Sequence, residues 1–277
     1  MKIGLVGFAG SGKTTVFNTM TGLDVPVGYG GDVRLGTVRV PDKRIDALTK
    51  IFLPKKKTYA EISFCDVPGE HGSHKKGLSP RGLQQIRDQE ALCLVLQDFN
   101  NPALEGAPDP LLDLESFHTE CIFADLEIIE KRLDRARKEQ ADAHEIATFE
   151  LAQANLEAER PLRLIPDADL DRSLIKGYGI LSDRPLLVMV NRDEEHASDP
   201  LTGTLDARIR EFGAAGLTLC ASIEADIAGM ELGDQEEFLA DLGLKESALS
   251  RFIRSAYELL DLISFFTVGE DEVRAWT

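Results

Sequence analysis

The sequence predicts an α/β fold: a doubly wound, mostly parallel sheet carrying an inserted helical or coiled-coil hairpin. Three observations predict it. Short apolar runs alternate with segments of helical spacing along most of the 277 residues. Polar motifs fall at the C-terminal ends of those runs, where an open parallel sheet places its ligand. One long stretch, from Leu111 to about Arg160, lacks glycine and proline and interleaves charges with apolar positions.

Each element has its own signal. Lys2-Ile3-Gly4-Leu5-Val6 suits a buried strand, and Thr15 to Met20 continues as a helix after a glycine-rich loop. Gly28-Tyr29-Gly30-Gly31-Asp32 is a second glycine-rich loop. Arg34 to Val40 reads as a strand ended by Pro41-Asp42. Arg44 to Leu53 reads as a helix, with Ile45, Leu48 and Ile51 at helical spacing. Glu61 to Asp66 is a strand running into Val67-Pro68-Gly69. Residues 70–82, rich in Gly, His, Lys and Ser, read as a loop, and Leu83 to Glu90 as a helix. The run Ala91 to Leu96 is fully apolar, as a central parallel strand requires.

Past Pro102, Pro108 and Pro110 the character changes. Leu126, Ile129, Leu133 and Ala136, then Ile146, Phe149, Ala152 and Leu156, mark two helices, with a tip at Glu139 to His144. Their low density of large apolar residues favours a projecting arm over helices packed on the sheet. This divides the chain into a domain of residues 1–110 and 166–277 and an arm of residues 111–165. Ala168 to Leu181 reads as a helix. Pro185 to Val190 and Gly216 to Ala221 are further apolar strands, ending in Asn191 and in Ser222-Ile223-Glu224. Helices around 233–241 and 245–262 close the chain, the second with a clear apolar face from Leu249 to Leu260.

Composition narrows the function classes. The formal charge is −17, which argues against a polyanion-binding surface over the whole chain, so no direct DNA binding is expected. Cys65, Cys93, Cys121 and Cys220 form no C-x-x-C pair and read as reduced core thiols of a cytosolic protein. Met1-Lys2 leads straight into a strand, with no secretory leader. No apolar run approaches the roughly 20 residues that cross a bilayer. A cytoplasmic location without membrane contact follows as the expectation.

Three motifs carry chemistry. Gly7-Phe8-Ala9-Gly10-Ser11-Gly12-Lys13-Thr14 reads G-x-x-x-x-G-K-T, the phosphate-binding loop of nucleoside triphosphatases. Its glycines let successive amides turn inward around one phosphate. Lys13, the catalytic candidate, reaches the β- and γ-phosphates, and Thr14 offers a hydroxyl to Mg²⁺. Gly7, Ala9, Gly10, Ser11, Gly12, Lys13, Thr14 and Thr15 are therefore the candidate phosphate contacts. Asp66-Val67-Pro68-Gly69 is a D-x-x-G, roughly 50 residues further on, whose carboxylate holds Mg²⁺ through a water. Thr14 and Asp66 are the candidate metal residues. The third motif is Asn191-Arg192-Asp193-Glu194, where GTPases carry N-K-x-D. Glu194 is one methylene too long for the bidentate fit to guanine, and Asp193 is out of register for it.

These motifs, in this order, resemble the Obg-like ATPase (YchF) subfamily of the Obg translation-factor GTPases. The resemblance covers nearly the whole chain and is strongest in Lys2–Thr21, Val40–Leu48, Cys121–Leu133, Cys220–Ile227 and Glu237–Trp276. Phe265-Phe266-Thr267-Val268-Gly269-Glu270-Asp271-Glu272-Val273-Arg274-Ala275-Trp276 is its most specific stretch. The resemblance implies a P-loop ATPase that prefers ATP to GTP, carries a coiled-coil insertion and has ribosome-linked or stress-linked roles. It implies N-x-x-E in place of N-K-x-D, matched by Asn191 and Glu194, and sets Ser222 in a loop beside the base.

The chain also departs from that pattern. Gly30 stands where the family has a metal-binding threonine, so that ligand is missing. Glu70 follows D-x-x-G where the family has an apolar residue, and His71-Gly72-Ser73-His74-Lys75-Lys76 replaces a glycine-rich switch. A histidine implied for hydrolysis has no match after Phe99, and Arg192 replaces an apolar residue, its stem suited to pack on a base. The family continues past Thr277 into a small β-rich TGS domain; either that module has been cut away or the protein lacks it. The expected function is a Mg²⁺-dependent ATP switch with slow hydrolysis, its arm reporting the state of residues 28–37 and 70–82 to the ribosome or another protein. An ordinary GTPase and a nucleotide-binding scaffold without turnover are the alternatives.

Overall fold

The computed structural model describes residues 1–26, 33–67 and 80–277. Gly30, Pro68, Gly69, Glu70 and the run His71–Lys76 lie outside them. The chain opens with β1 (Lys2–Val6), α1 (Lys13–Thr21), β2 (Arg34–Arg39), α2 (Lys43–Phe52), β3 (Lys56–Thr58) and β4 (Glu61–Asp66). It continues with α3 (Pro80–Arg87), β5 (Ala91–Asp98), α4 (Pro110–Lys138), α5 (Ala143–Glu157) and α6 (Arg172–Ile175). It closes with β6 (Leu186–Arg192), α7 (Gly203–Glu211), β7 (Ala215–Leu219), α8 (Ala221–Ala228), α9 (Leu232–Asp241), α10 (Ala248–Leu259), β8 (Phe265–Val268) and β9 (Glu272–Trp276).

Six strands form the main sheet in the order β2-β4-β1-β5-β6-β7. All neighbours pair in parallel except β2, which runs antiparallel to β4. β5 is buried along nearly its whole length, as its apolar run Ala91–Leu96 requires. Helices cover both faces. Phe17 of α1 and Phe252 of α10 pack with Phe64 on one side; Ile86 of α3, Leu114 and Phe117 of α4, and Phe212 pack on the other. The C-terminal ends of β1, β4, β5 and β6 therefore meet along one edge of the sheet.

The helical pair begins where Asp109 accepts a bond from the Leu112 amide and Pro110 opens α4, a cap-and-proline start. It turns between Lys138 and Ala143, with Asp142 capping α5. Ile129 and Leu133 of α4 bury against Phe149, Ala152 and Leu156 of α5. The first turns of α4, with Leu114, Phe117 and Cys121, belong instead to the sheet's own core.

Two local expectations change. The helix expected over Ala168–Leu181 shrinks to α6 and one 3₁₀ turn, Lys176–Tyr178. The Arg172 side chain explains it: it binds the carbonyls of Leu162 and Ile165 and the carboxylate of Asp183, which holds this segment folded back on itself. The aromatic C-terminal stretch forms β8 and β9, which with β3 make a second, three-stranded sheet on α2. Arg44 of α2 lies 4.9 Å over the Phe266 ring. All four cysteines are buried free thiols.

Candidate functional site

The site grows from the end of β1. The chain leaves Val6 into three glycines with positive φ: Gly7 at 142°, Gly10 at 83° and Gly12 at 90°. A β-carbon on Gly7 would stand 2.4 Å from the Val95 carbonyl oxygen, so the loop passes tight over β5. Asn101, beyond β5, donates to the Gly10 carbonyl at 3.3 Å. Gly12 caps α1, whose first amides have no partner in the helix and form a ready anion site. Ser11 is buried in this loop, while Ala9, Thr14 and Thr15 are half-buried around it.

Lys13 opens α1 and is 6% exposed. Its ammonium donates to the carbonyls of Gly7 at 2.7 Å and Phe8 at 3.0 Å, which curls it back over the loop. Burial pulls its pKa down to about 8, against the opposing pull of Asp66. Asp66, at the end of β4, is 2% exposed, and burial pushes its carboxyl up while Lys13, Arg34 and Thr14 oppose that rise. Thr14 Oγ1 donates to Asp66 Oδ2 at 3.3 Å, and Arg34 stands 3.7 Å from the same oxygen. Asp66 Oδ1 and Ser11 Oγ are buried without a partner among the described residues.

That donor set fits Mg²⁺. It offers one hydroxyl and one carboxylate, hard oxygens at one point, with an orphaned lone pair beside them. No group of three or more His, Cys, Asp or Glu among the described residues makes a dedicated metal cage. An ion here would complete its shell from phosphate and water, as Mg²⁺ commonly does.

A cavity of about 510 Å³ continues from the loop, lined among others by Gly12, Thr15, Phe99, Asn191, Glu194 and Ser222. Asn191 builds it. Its amide donates to the Ser11 carbonyl at 3.0 Å, and its carbonyl accepts from the Ala221 amide at 3.0 Å. The start of α8 is thus tied to the phosphate loop, and Ser222 is carried to Glu194, donating to its carboxylate at 3.3 Å. Asp193 instead accepts from the amide of His196 at 3.1 Å and pairs with its ring at 2.6 Å. Arg192 lines the cavity, but its guanidinium is drawn aside by Asp98 at 3.0 Å and the Asp199 carbonyl at 2.9 Å.

Among the described residues the structure brings most of the sequence-marked positions together, while Gly30, Gly69 and Glu70 lie outside them. Gly7 through Thr15, Asp66, Asn191, Glu194 and Ser222 all meet at one sheet edge. Arg34 and Asn101 join them without a sequence signal, because neither belongs to a motif and only the pairing of β2 with β4, or the return of the chain after β5, delivers them.

The family model described as 50S ribosome-binding GTPase matches residues 2–131. The "Ribosome-binding ATPase YchF" of Bacillus subtilis is 35% identical over 99% of this chain and 80% of its own length. The chain belongs to the YchF family. The YchF protein of Haemophilus ducreyi is 33% identical over the whole of this chain and 80% of its own length. The solved structure of the Schizosaccharomyces pombe YchF GTPase superposes with a TM-score of 0.83 at 27% identity, covering 100% of this chain and 80% of that one. The chain thus shares its fold with that YchF structure, and in it the long α4–α5 pair follows β5.

Proposed function

We propose that the chain is a Mg²⁺-dependent nucleotide switch that prefers ATP to GTP and hydrolyses it slowly. The observation that carries this is the pair of hydrogen bonds by which Asn191 holds Ser11 and Ala221, which joins a phosphate loop and a base-sized cavity into one elongated site. In it Lys13 and the first amides of α1 hold the phosphates, with Gly7, Ala9, Gly10, Ser11, Gly12 and Thr15 forming the cradle. Thr14 and Asp66 would hold Mg²⁺, which supplies charge neutralisation at the β- and γ-phosphates. Glu194, oriented by Ser222, is one methylene too long for the bidentate fit to guanine's N1–H and amino group, and is left to accept a single bond from the amino group of adenine.

Residues 1–110 and 166–277 form the nucleotide domain in this reading, joined by the first turns of α4 with Leu114, Phe117 and Cys121, and the rest of residues 111–165 forms an arm that carries its state to a partner. The relatives named as ribosome-binding support the ribosome as that partner, and the cytoplasm as the place of action. No helix among the described residues is long and apolar enough to cross a membrane.

Titration of labelled ATP and GTP against the purified protein tests the reading. Tighter binding of ATP is expected, and a hundredfold preference for GTP would overturn it in favour of an ordinary GTPase. A single-turnover assay with Lys13→Ala as control addresses hydrolysis. Slow release of phosphate that vanishes in the variant is expected; none in either protein would leave a binding scaffold.

A further inference from the structure

We propose that Arg34 sets the divalent-metal requirement of this site by competing with the ion for Asp66. The proposal rests on the Mg²⁺-nucleotide reading above and deepens it. β2 and β4 pair antiparallel with Arg34 directly opposite Asp66. Directly opposed residues of such a pair are neighbours on one face of the sheet. The Arg34 guanidinium accordingly lies 3.7 Å from Asp66 Oδ2.

That oxygen is the one that accepts from Thr14, at 3.3 Å. An ion held between Thr14 and Asp66 therefore draws on a carboxylate that already has a cation beside it. Lys13 is differently placed, because its ammonium is committed to the Gly7 and Phe8 carbonyls. The Arg34 side chain is 25% exposed, so it can leave the pair without opening the core, whereas the Asp66 side chain at 3% cannot leave. Guanidinium is a planar, diffuse monocation, while Mg²⁺ is a compact dication that demands oxygen ligands. The ion prevails at sufficient concentration, and Arg34 raises that concentration.

The test is a Mg²⁺ titration of fluorescent-ATP binding by the 277-residue chain, as wild type, Arg34→Gln and Arg34→Lys. The half-saturating Mg²⁺ concentration is expected to fall about tenfold in Arg34→Gln, the least that an opposite charge this close contributes. Arg34→Lys, which keeps the charge, should retain most of the wild-type requirement. An unchanged or raised midpoint in Arg34→Gln overturns the proposal. A second series uses Mg²⁺ alone and reads thermal stabilisation of the protein. Arg34→Gln should respond at lower Mg²⁺ than wild type, and no difference between them overturns the proposal. Failure of the nucleotide reading is a separate result, seen when wild type binds no fluorescent ATP at any Mg²⁺ concentration, and the series with Mg²⁺ alone still decides on Arg34.

Discussion

The amide nitrogen of Asn191 lies 2.3 Å from the point where a β-carbon on Gly12 would stand. Gly12 also holds φ at 90°, a conformation that other residues adopt only under strain. Any side chain at this position would displace the Asn191 side-chain amide that bonds the Ser11 carbonyl. Gly12→Ala is expected to lower stability by about 1–3 kcal/mol from backbone strain alone and to weaken fluorescent-ATP binding at least tenfold. A variant that binds like wild type would show that the two loops do not act as one.

Asn191→Ala should cost more in stability than its size suggests. Asn191 is 3% exposed, and its loss strands the Ser11 carbonyl and the Ala221 amide. Two buried groups left unpaired predict a loss of about 2–6 kcal/mol. The urea midpoint, at unchanged slope, measures it. A shift under half a kcal/mol would mean that water replaces Asn191 on both partners.

Base preference should turn on the length of one side chain. Glu194 reaches Ser222 because of its extra methylene, while the shorter Asp193 is spent on His196. Glu194→Asp withdraws the carboxylate from Ser222 and restores the length that reads guanine in N-K-x-D. The ATP-to-GTP affinity ratio is expected to fall by about tenfold or more, since designed polar contacts dominate such discrimination. Competition binding with both nucleotides reads the ratio, and an unmoved value removes Glu194 from base selection.

Much of this site was legible because its chemistry is local. Gly7 to Thr14 is contiguous, Asp66 ends an apolar strand, and Asn191 ends another, so each motif carried its own structural context. Arg34 was not legible, since its meaning lies in a cross-strand register that no single segment encodes. The pairing of the Arg192 guanidinium with Asp98, distant in sequence and adjacent in the sheet, is likewise not encoded by any single segment. In the fold, the apolar runs of β5 and β6, Ala91–Leu96 and Leu186–Val190, are plain in the sequence. The strand β3 was not, because Lys56-Lys57-Thr58 has no apolar signal and exists only as an edge partner of β9. In the Ala168–Leu181 segment, side-chain bonds of Arg172 to backbone carbonyls outweigh helical spacing.

Nucleotide affinity should weaken as pH rises through about 8. Burial holds the Lys13 ammonium near that value in the free protein. A bound polyphosphate favours the charged form, so binding takes up a proton above pH 8 and grows weaker there. Kd for fluorescent ATP is expected to be flat from pH 6.5 to 7.5 and to rise several-fold by pH 9. A flat profile to pH 9 would place the Lys13 pKa well above 8 in the free protein.

The root of the helical arm should sense acid through His118. The ring sits 6% exposed on α4, stacked on Phe212 at 3.7 Å, with Nε2 donating to the Glu159 carbonyl at 2.9 Å. Burial lowers its pKa below the ordinary 6.5; the Glu159 bond opposes that, while Arg163 and Arg208 add to it. The unfolded chain therefore binds a proton that the folded chain refuses. The sign follows: stability from this group is complete above pH 6.5, declines as pH falls below it, and stops declining once the folded pKa is passed. Asp66, Asp125 and Glu224, whose carboxyls burial raises, act in the opposite sense, so the comparison must be between variants. His118→Gln keeps a donor for Glu159 and does not titrate. Urea unfolding at pH 7.5 and 5.5 should show wild type losing stability relative to the variant at the lower pH. Equal losses in the two proteins would exclude His118 as the sensing group.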